Sequence, residues 1–257
     1  MNNDDLVTIS FDELTNVQKS KFDGLADSYK SKDIVRDRVN GEDGLGVVDG
    51  VISNLWKEST CSSDELYNYL LKNVDADAAR KFVNDGIWPD SIQIPKNSSV
   101  LNPDGSIDWS KAAQGGYILD AESKVIKESF SPEIGEVIDR YGNSHGRYTS
   151  PVIDGNSYSY TERSLPYVED LSNYHQYEVT GNFNEIEKYV SNCPDVELKT
   201  QIDALVTTYY NDDYSKLLVY KGEAAKIDGW GAGRAIQYEL PLTVDQLIQI
   251  GLLKELN

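Results

Sequence analysis

The apolar residues of the first ninety positions recur at helical spacing. Phe11, Leu14, Val17, Phe22, Leu25 and Tyr29 suit one helical face, behind the capping-box pattern Ser10-Phe11-Asp12-Glu13. Gly41, Gly44, Gly46 and Gly50 interrupt that pattern. A second capping box, Ser62-Ser63-Asp64-Glu65, opens the run Leu66 to Leu71, and Asp75 starts a short helix that Gly86 closes. From Ile92 the texture changes. Pro95, Pro103, Gly105, Gly115 and Gly116 punctuate short β-branched and aromatic runs, with a turn signal at Asn102-Pro103-Asp104-Gly105. Strand-like runs cover 116–119, 136–138, 147–148, 174–179 and 235–240. Between the last two, helical spacing returns at 184–190 and 196–209, with Pro194 between them. Thr243-Val244-Asp245-Gln246 is a third capping box, and Gly251 ends the helix it opens.

These elements predict an α+β chain in two parts. Residues 1–92 form a helical N-terminal region. Residues 93–257 form a twisted, mostly antiparallel sheet domain with peripheral helices and a helical insertion at about 182–216. Tyr189, Tyr209, Tyr210 and Tyr214 give the insertion aromatic surface, and it reads either as a flap beside the site or as a passive surface excursion.

Charge narrows the function classes. The 257 residues carry 43 Asp and Glu against 24 Lys and Arg, a formal net charge of -19. A surface this acidic repels a phosphate backbone, which argues against nucleic acid as a partner. Any anionic ligand must be held by a local cluster of bases. No run approaches the roughly 18 apolar residues of a membrane span. The N-terminus, Met1 to Asp5, is acidic where a cleaved secretory leader would be basic and then apolar. Cys61 and Cys193 lie far apart, and His145 and His175 are the two histidines, so no metal site is expected.

Candidate chemistry collects after residue 136. Val137-Ile138-Asp139-Arg140-Tyr141-Gly142 and Gly146-Arg147-Tyr148-Thr149-Ser150-Pro151 read as two strands joined by a polar turn, with the Arg140 guanidinium at its mouth. Such a fork holds a carboxylate or phosphate through two parallel hydrogen bonds, which Lys cannot reproduce. Arg163 precedes a proline stop in Arg163-Ser164-Leu165-Pro166. Alternation in Tyr174-His175-Gln176-Tyr177-Glu178-Val179 puts His175 and Tyr177 on one face. A glycine-rich loop, Gly229-Trp230-Gly231-Ala232-Gly233, feeds the strand that holds Gln237. Trp230 reads as a stacking platform or as an anchor for its own loop. Arg147 and Arg234 read as solvated, and His145 as a turn residue.

Taken in order, these segments, with Gln237-Tyr238, Leu240-Pro241 and Leu247 to Leu253, resemble the tuberculosis necrotizing toxin (TNT) domain family of NAD+ glycohydrolases. The resemblance covers roughly residues 93–257. It implies Gln237, His175 and Arg140 as catalytic residues and Tyr148 and Arg163 as substrate-binding ones, beside which Trp230, as a stacking platform, is the further substrate-binding candidate. NAD+ would be the substrate, with no cofactor or metal, and NADP+ cleavage is left open. It also implies a cognate immunity protein and action in a target-cell cytosol after export, or as part of a longer toxin. The chain departs from the family pattern in a longer 180–230 segment and a reduced loop at 228–233.

The implied chemistry accounts for the missing carboxylate pair of ordinary glycosidases. Nicotinamide leaves NAD+ as a neutral ring, so no proton need be delivered to it. Arg140 and Arg163 would grip the diphosphate, Tyr148 would wall the cleft, and Gln237 and His175 would position ribose and water. Two rivals stand beside this reading. An ADP-ribosyltransferase would use a late-strand Glu, and Glu239 shares Gln237's face by alternation. A degenerate domain would serve only as a binding module.

Overall fold

A computed structural model describes residues 55–256. The Ser10 capping box, the stripe from Phe11 to Tyr29 and the glycines at 41–50 lie outside the described residues. The described part divides into two compact units, 55–109 with 166–168, and 110–165 with 169–256.

The first unit is built on two helices, α1 (Ser63–Asn73) and α2 (Ala76–Asp85). Both start where the sequence predicts. The Ser62 hydroxyl accepts from the Glu65 amide while the Glu65 carboxylate accepts from the Ser62 amide, a reciprocal cap. Asp75 accepts from Ala78 at the start of α2, and Gly86, at φ +70°, takes the left-handed turn that ends it. Tyr69 and Trp88 stack, and Phe82 meets both Trp88 and Trp56 edge-on, so four aromatic rings fill this small core. Gly105 holds the predicted turn. Its φ is +83°, and a Cβ there would lie 2.6 Å from the Asn68 carbonyl oxygen.

The second unit is an open, fully antiparallel sheet. Its strands are β1 (Lys127–Phe130), β2 (Val137–Tyr141), β3 (Tyr148–Pro151), β4 (Tyr174–Val179), β5 (Val219–Glu223), β6 (Ile236–Glu239) and β7 (Leu253–Leu256), in the order β1-β5-β6-β3-β2-β4-β7. The expected hairpin of β2 and β3 is present, pairing Ile138 with Pro151 and Asp139 with Ser150. The α+β class holds. Strands β1, β5 and β7 escaped the sequence reading, each for a local reason. β1 is a charged, exposed edge, β5 carries Gly222, and β7 is a second edge with two charges in four residues.

Opposed residues in these ladders share a face, and alternation along each strand carries that face across the sheet. One face presents Ile138, Tyr177, Val179, Val219, Tyr238 and Leu253. It is covered by α3 (Ile186–Ser191), α4 (Val196–Tyr210) and α5 (Val244–Gln249), whose Ile186, Val190, Leu198, Ile202, Val206, Val244 and Leu247 complete the core. The 182–216 segment is therefore helical, and it supplies much of this core. That position overturns the flap expectation, because the apolar stripes of α3 and α4 are buried rather than free to move.

Candidate functional site

The opposite face of the sheet is polar. Tyr148 stands across from Glu239 and Gln237 across from Gly222, which puts Tyr148, Gln237 and Glu239 on this one face, as alternation predicted for Glu239. The half-buried Gln237 donates from Nε2 to the Gly115 carbonyl at 2.9 Å. The ring of Tyr117 lies over Gly222, where a Cβ would come within 2.8 Å of it, and meets the ring of Tyr148 edge-on. Tyr117 is 1% exposed. Its hydroxyl lies near Gln237 but makes no hydrogen bond of good geometry, and burial raises it well above the ordinary phenol range.

Glu239 is clamped between two cations. Lys127 meets it at 2.7 Å and Arg147 at 3.6 Å, and Lys127 also lies over the rings of Tyr220 and Tyr117. Arg147 further donates from Nε to the Leu240 carbonyl at 2.8 Å. The expectation of a merely solvated Arg147 is corrected by these two contacts. Lys127 and Arg147 thus place two cations near Gln237, in a chain that is otherwise strongly acidic.

Arg140 and His175 lie on the other face. They are direct cross-strand partners, with Tyr177 in the same row. Arg140 donates from Nη1 to the Tyr148 carbonyl at 3.0 Å and from Nε towards that of Gly142 at 3.4 Å. Its guanidinium covers Gly146, where a Cβ would fall 2.1 Å from Nη1, so a larger residue there would displace the fork. His175 Nδ1 meets Glu255 at 2.8 Å and its ring stacks on Tyr177. Tyr177 is pushed up to about 12 by burial, with Glu255 adding to the rise and Arg140 opposing it.

Residues 131–194 match the model of a family described as tuberculosis necrotizing toxin. The match spans about a quarter of the chain. A solved structure of tuberculosis necrotizing toxin complexed with its immunity factor is similar at 18% identity and a TM-score of 0.37. The alignment covers 60% of this chain and 65% of that one, and so loose a likeness transfers no residue roles. No curated protein matches.

The matched segment holds Arg140, Tyr148, Arg163 and His175, while Gln237 lies beyond it. The sheet does not gather these five into one cluster. Tyr148 and Gln237 come together around Gly115 and Tyr117, and Arg140 and His175 pair on the reverse face. Arg163 approaches Asp139, on the face of Gln237, and forms an ion pair with it; the two side chains are 8% and 0% exposed. Tyr174 also donates to Asp139, at 2.9 Å, while Arg163 lies over the Tyr141 ring and donates to the Tyr158 carbonyl. Desolvation raises the Asp139 carboxyl, with Arg163 and Tyr174 opposing. The Arg163 fork is thus occupied within the protein and not open to a diphosphate.

Trp230 is 2% exposed, and neighbouring Gly231 abuts the Thr161 carbonyl, so the indole anchors its own loop and offers no face to a ligand. Sequence reasoning passed over Tyr117, Lys127 and Tyr220. Tyr117 lies in the strand-like 116–119 run, which forms isolated bridges at Tyr117 and Leu119 rather than a strand, and nothing in the sequence singles out Lys127 or Tyr220. A groove of about 580 Å³ lined by Ile118, Ile126, Lys127, Gly222, Glu223 and Ile236 shares Lys127 and Gly222 with this face, but Gln237 and Tyr148 do not line it. Among the described residues no group of His, Cys, Asp and Glu could hold a metal, and no helix is long and apolar enough to cross a membrane.

Proposed function

We propose that the chain is a toxin of the NAD+ glycohydrolase type. The TNT-family match over 131–194 carries this reading, and the polar sheet face around Gln237 is the site that supports it best. In the reaction the bond between ribose C1′ and the nicotinamide nitrogen breaks, and the electron pair stays on the departing ring. Water adds to C1′ and a proton is released, giving nicotinamide and ADP-ribose. The transition state carries positive charge on the ribose, so a fixed amide dipole beside it lowers the barrier without any acid to protonate the leaving group. Gln237 supplies that dipole, Tyr148 walls the pocket, and the Lys127 and Arg147 cations attract the diphosphate.

On this reading Arg140 acts from behind the sheet. Its fork holds the Tyr148 carbonyl and so fixes the strand that presents the Tyr148 ring. His175 acts with it and with Glu255 at the same edge. The transferase alternative needs Glu239 as an acceptor-activating base, and its two cation partners argue against that role. A cognate immunity protein that covers the Gln237 face, and export to a target-cell cytosol, complete the proposal.

The test is incubation of the purified chain with NAD+, with nicotinamide and ADP-ribose separated chromatographically and a labelled-adenine gel run alongside. Stoichiometric nicotinamide and free ADP-ribose support the hydrolase. Label carried on protein would support the transferase, and intact NAD+ would support a binding module.

A further inference from the structure

The strap from Gln114 to Tyr117 makes the closest approach to Gln237, and its backbone is unusual. Gln114, Gly115 and Gly116 all have positive φ, at 54°, 82° and 74°. Three consecutive left-handed residues, one of them not glycine, persist only where their surroundings hold them. The restraints are visible. Ala225 donates to the Gly116 carbonyl at 2.8 Å, Ile118 donates to that of Glu223 at 3.0 Å, and Gln114 donates from its side chain to the Ser123 carbonyl at 3.0 Å. A bridge between Tyr117 and Ala224 ties the strap to the end of β5. Gly115 also touches the second site residue, since a Cβ there would lie 2.7 Å from the Tyr148 hydroxyl oxygen.

A carbonyl can only accept a hydrogen bond, so the Gly115 oxygen dictates which end of the Gln237 amide turns towards it. The NH2 end faces the strap. The Oε1 end is turned away from that carbonyl, and the Tyr117 hydroxyl beside the amide makes no hydrogen bond of good geometry.

We infer that Gly115 is a positioning residue for Gln237: its main-chain carbonyl pins the amide so that Oε1 is presented to the substrate as an acceptor. In that orientation Oε1 takes a hydrogen bond from a ribose hydroxyl or from the attacking water, and its negative end lies towards the charge that develops on the ribose. This inference rests on the NAD+ glycohydrolase reading, but half of its test does not.

That half is the Gln237 side-chain amide itself, observed by NMR in the 15N-labelled full chain and assigned by its loss in Gln237→Ala. Pinned NH2 protons exchange slowly. In Gly115→Ala the new methyl strikes the Tyr148 hydroxyl at an unfavourable φ, the strap shifts, and exchange is expected to quicken about fivefold or more. Turnover of NAD+ should fall about tenfold while the Michaelis constant stays within about twofold, because orientation matters most in the transition state. In a Tyr148→Phe background the same Gly115→Ala change should cost less, since the atom it strikes is gone. Gln114→Gly, which loses the Ser123 anchor and inserts no atom, should shift exchange and turnover in the same direction by less; it serves if Gly115→Ala fails to fold. Unchanged exchange with unchanged turnover in a folded strap variant overturns the inference. A rise in turnover also overturns it, since the strap would then be a cover. If the wild type leaves NAD+ intact, the glycohydrolase reading fails, and the exchange data alone decide whether the strap pins the amide.

Discussion

At the scale of single residues, two buried contacts make opposite predictions. Gln237 is held on the polar face with one end of its amide engaged. Its removal should leave the fold standing and cost turnover on the order of a hundredfold, as for other single preorganised polar groups, with a smaller effect on the Michaelis constant. Steady-state NAD+ kinetics on Gln237→Ala, with circular dichroism unchanged, check this. Near wild-type turnover would remove the residue from the mechanism. Asp139 is the reverse case. Replacing it with Ala strands the Arg163 guanidinium, whose side chain is 8% exposed, and should cost about 3–5 kcal/mol of unfolding free energy. Removing both partners together should cost less, because no unpaired charge is left behind. Urea titration of the two single variants and the double variant gives the coupling directly; simple additivity would mean the pair is not a unit.

At the scale of elements, the helices between β4 and β5 decide whether the sheet has a core. Ile202, on α4, is 1% exposed within the main cluster. Ile202→Ala should therefore lower stability by about 2–5 kcal/mol, seen as a drop in Tm. A bridge of Gly and Ser in place of 182–216 should leave the second unit unable to fold, whereas a flap would have changed only the kinetics. A folded, active bridge variant would return these helices to the periphery. In the first unit, Ser62→Ala breaks a reciprocal cap and should cost about 0.5–2 kcal/mol by thermal melting, with no change in NAD+ turnover.

At the scale of the whole molecule, the net charge of -19 would repel an anionic dinucleotide approaching Lys127 and Arg147. Screening shortens the reach of that field from about 30 Å at 0.01 M salt to about 10 Å at 0.1 M. Catalytic efficiency on NAD+ is therefore expected to rise over this range of ionic strength, with turnover itself nearly constant. A fall would mean that the local cations, not the global field, govern association.

The sequence by itself determined the local elements and the class of the fold. The caps at Ser62, Asp75 and Thr243, the β2–β3 hairpin, the β4 strand and the α4 helix all follow from interactions within a few residues, so their signals survive in a linear reading. The short ordered motifs also carried the TNT resemblance, because they hold the backbone turns and side chains that the hairpin needs. The tertiary structure decided which of those side chains meet. Face assignment across a seven-stranded sheet depends on the register of every intervening pair, and that register is set by long-range ladders rather than by neighbours in sequence. Only the folded sheet turns Arg140 and His175 away from Gln237, and only folding brings Asp139, 24 positions earlier, to occupy the Arg163 fork. Burial of α3 and α4 is decided the same way. Their apolar stripes were legible, but the surface they cover exists only once β2, β4, β5 and β6 have paired.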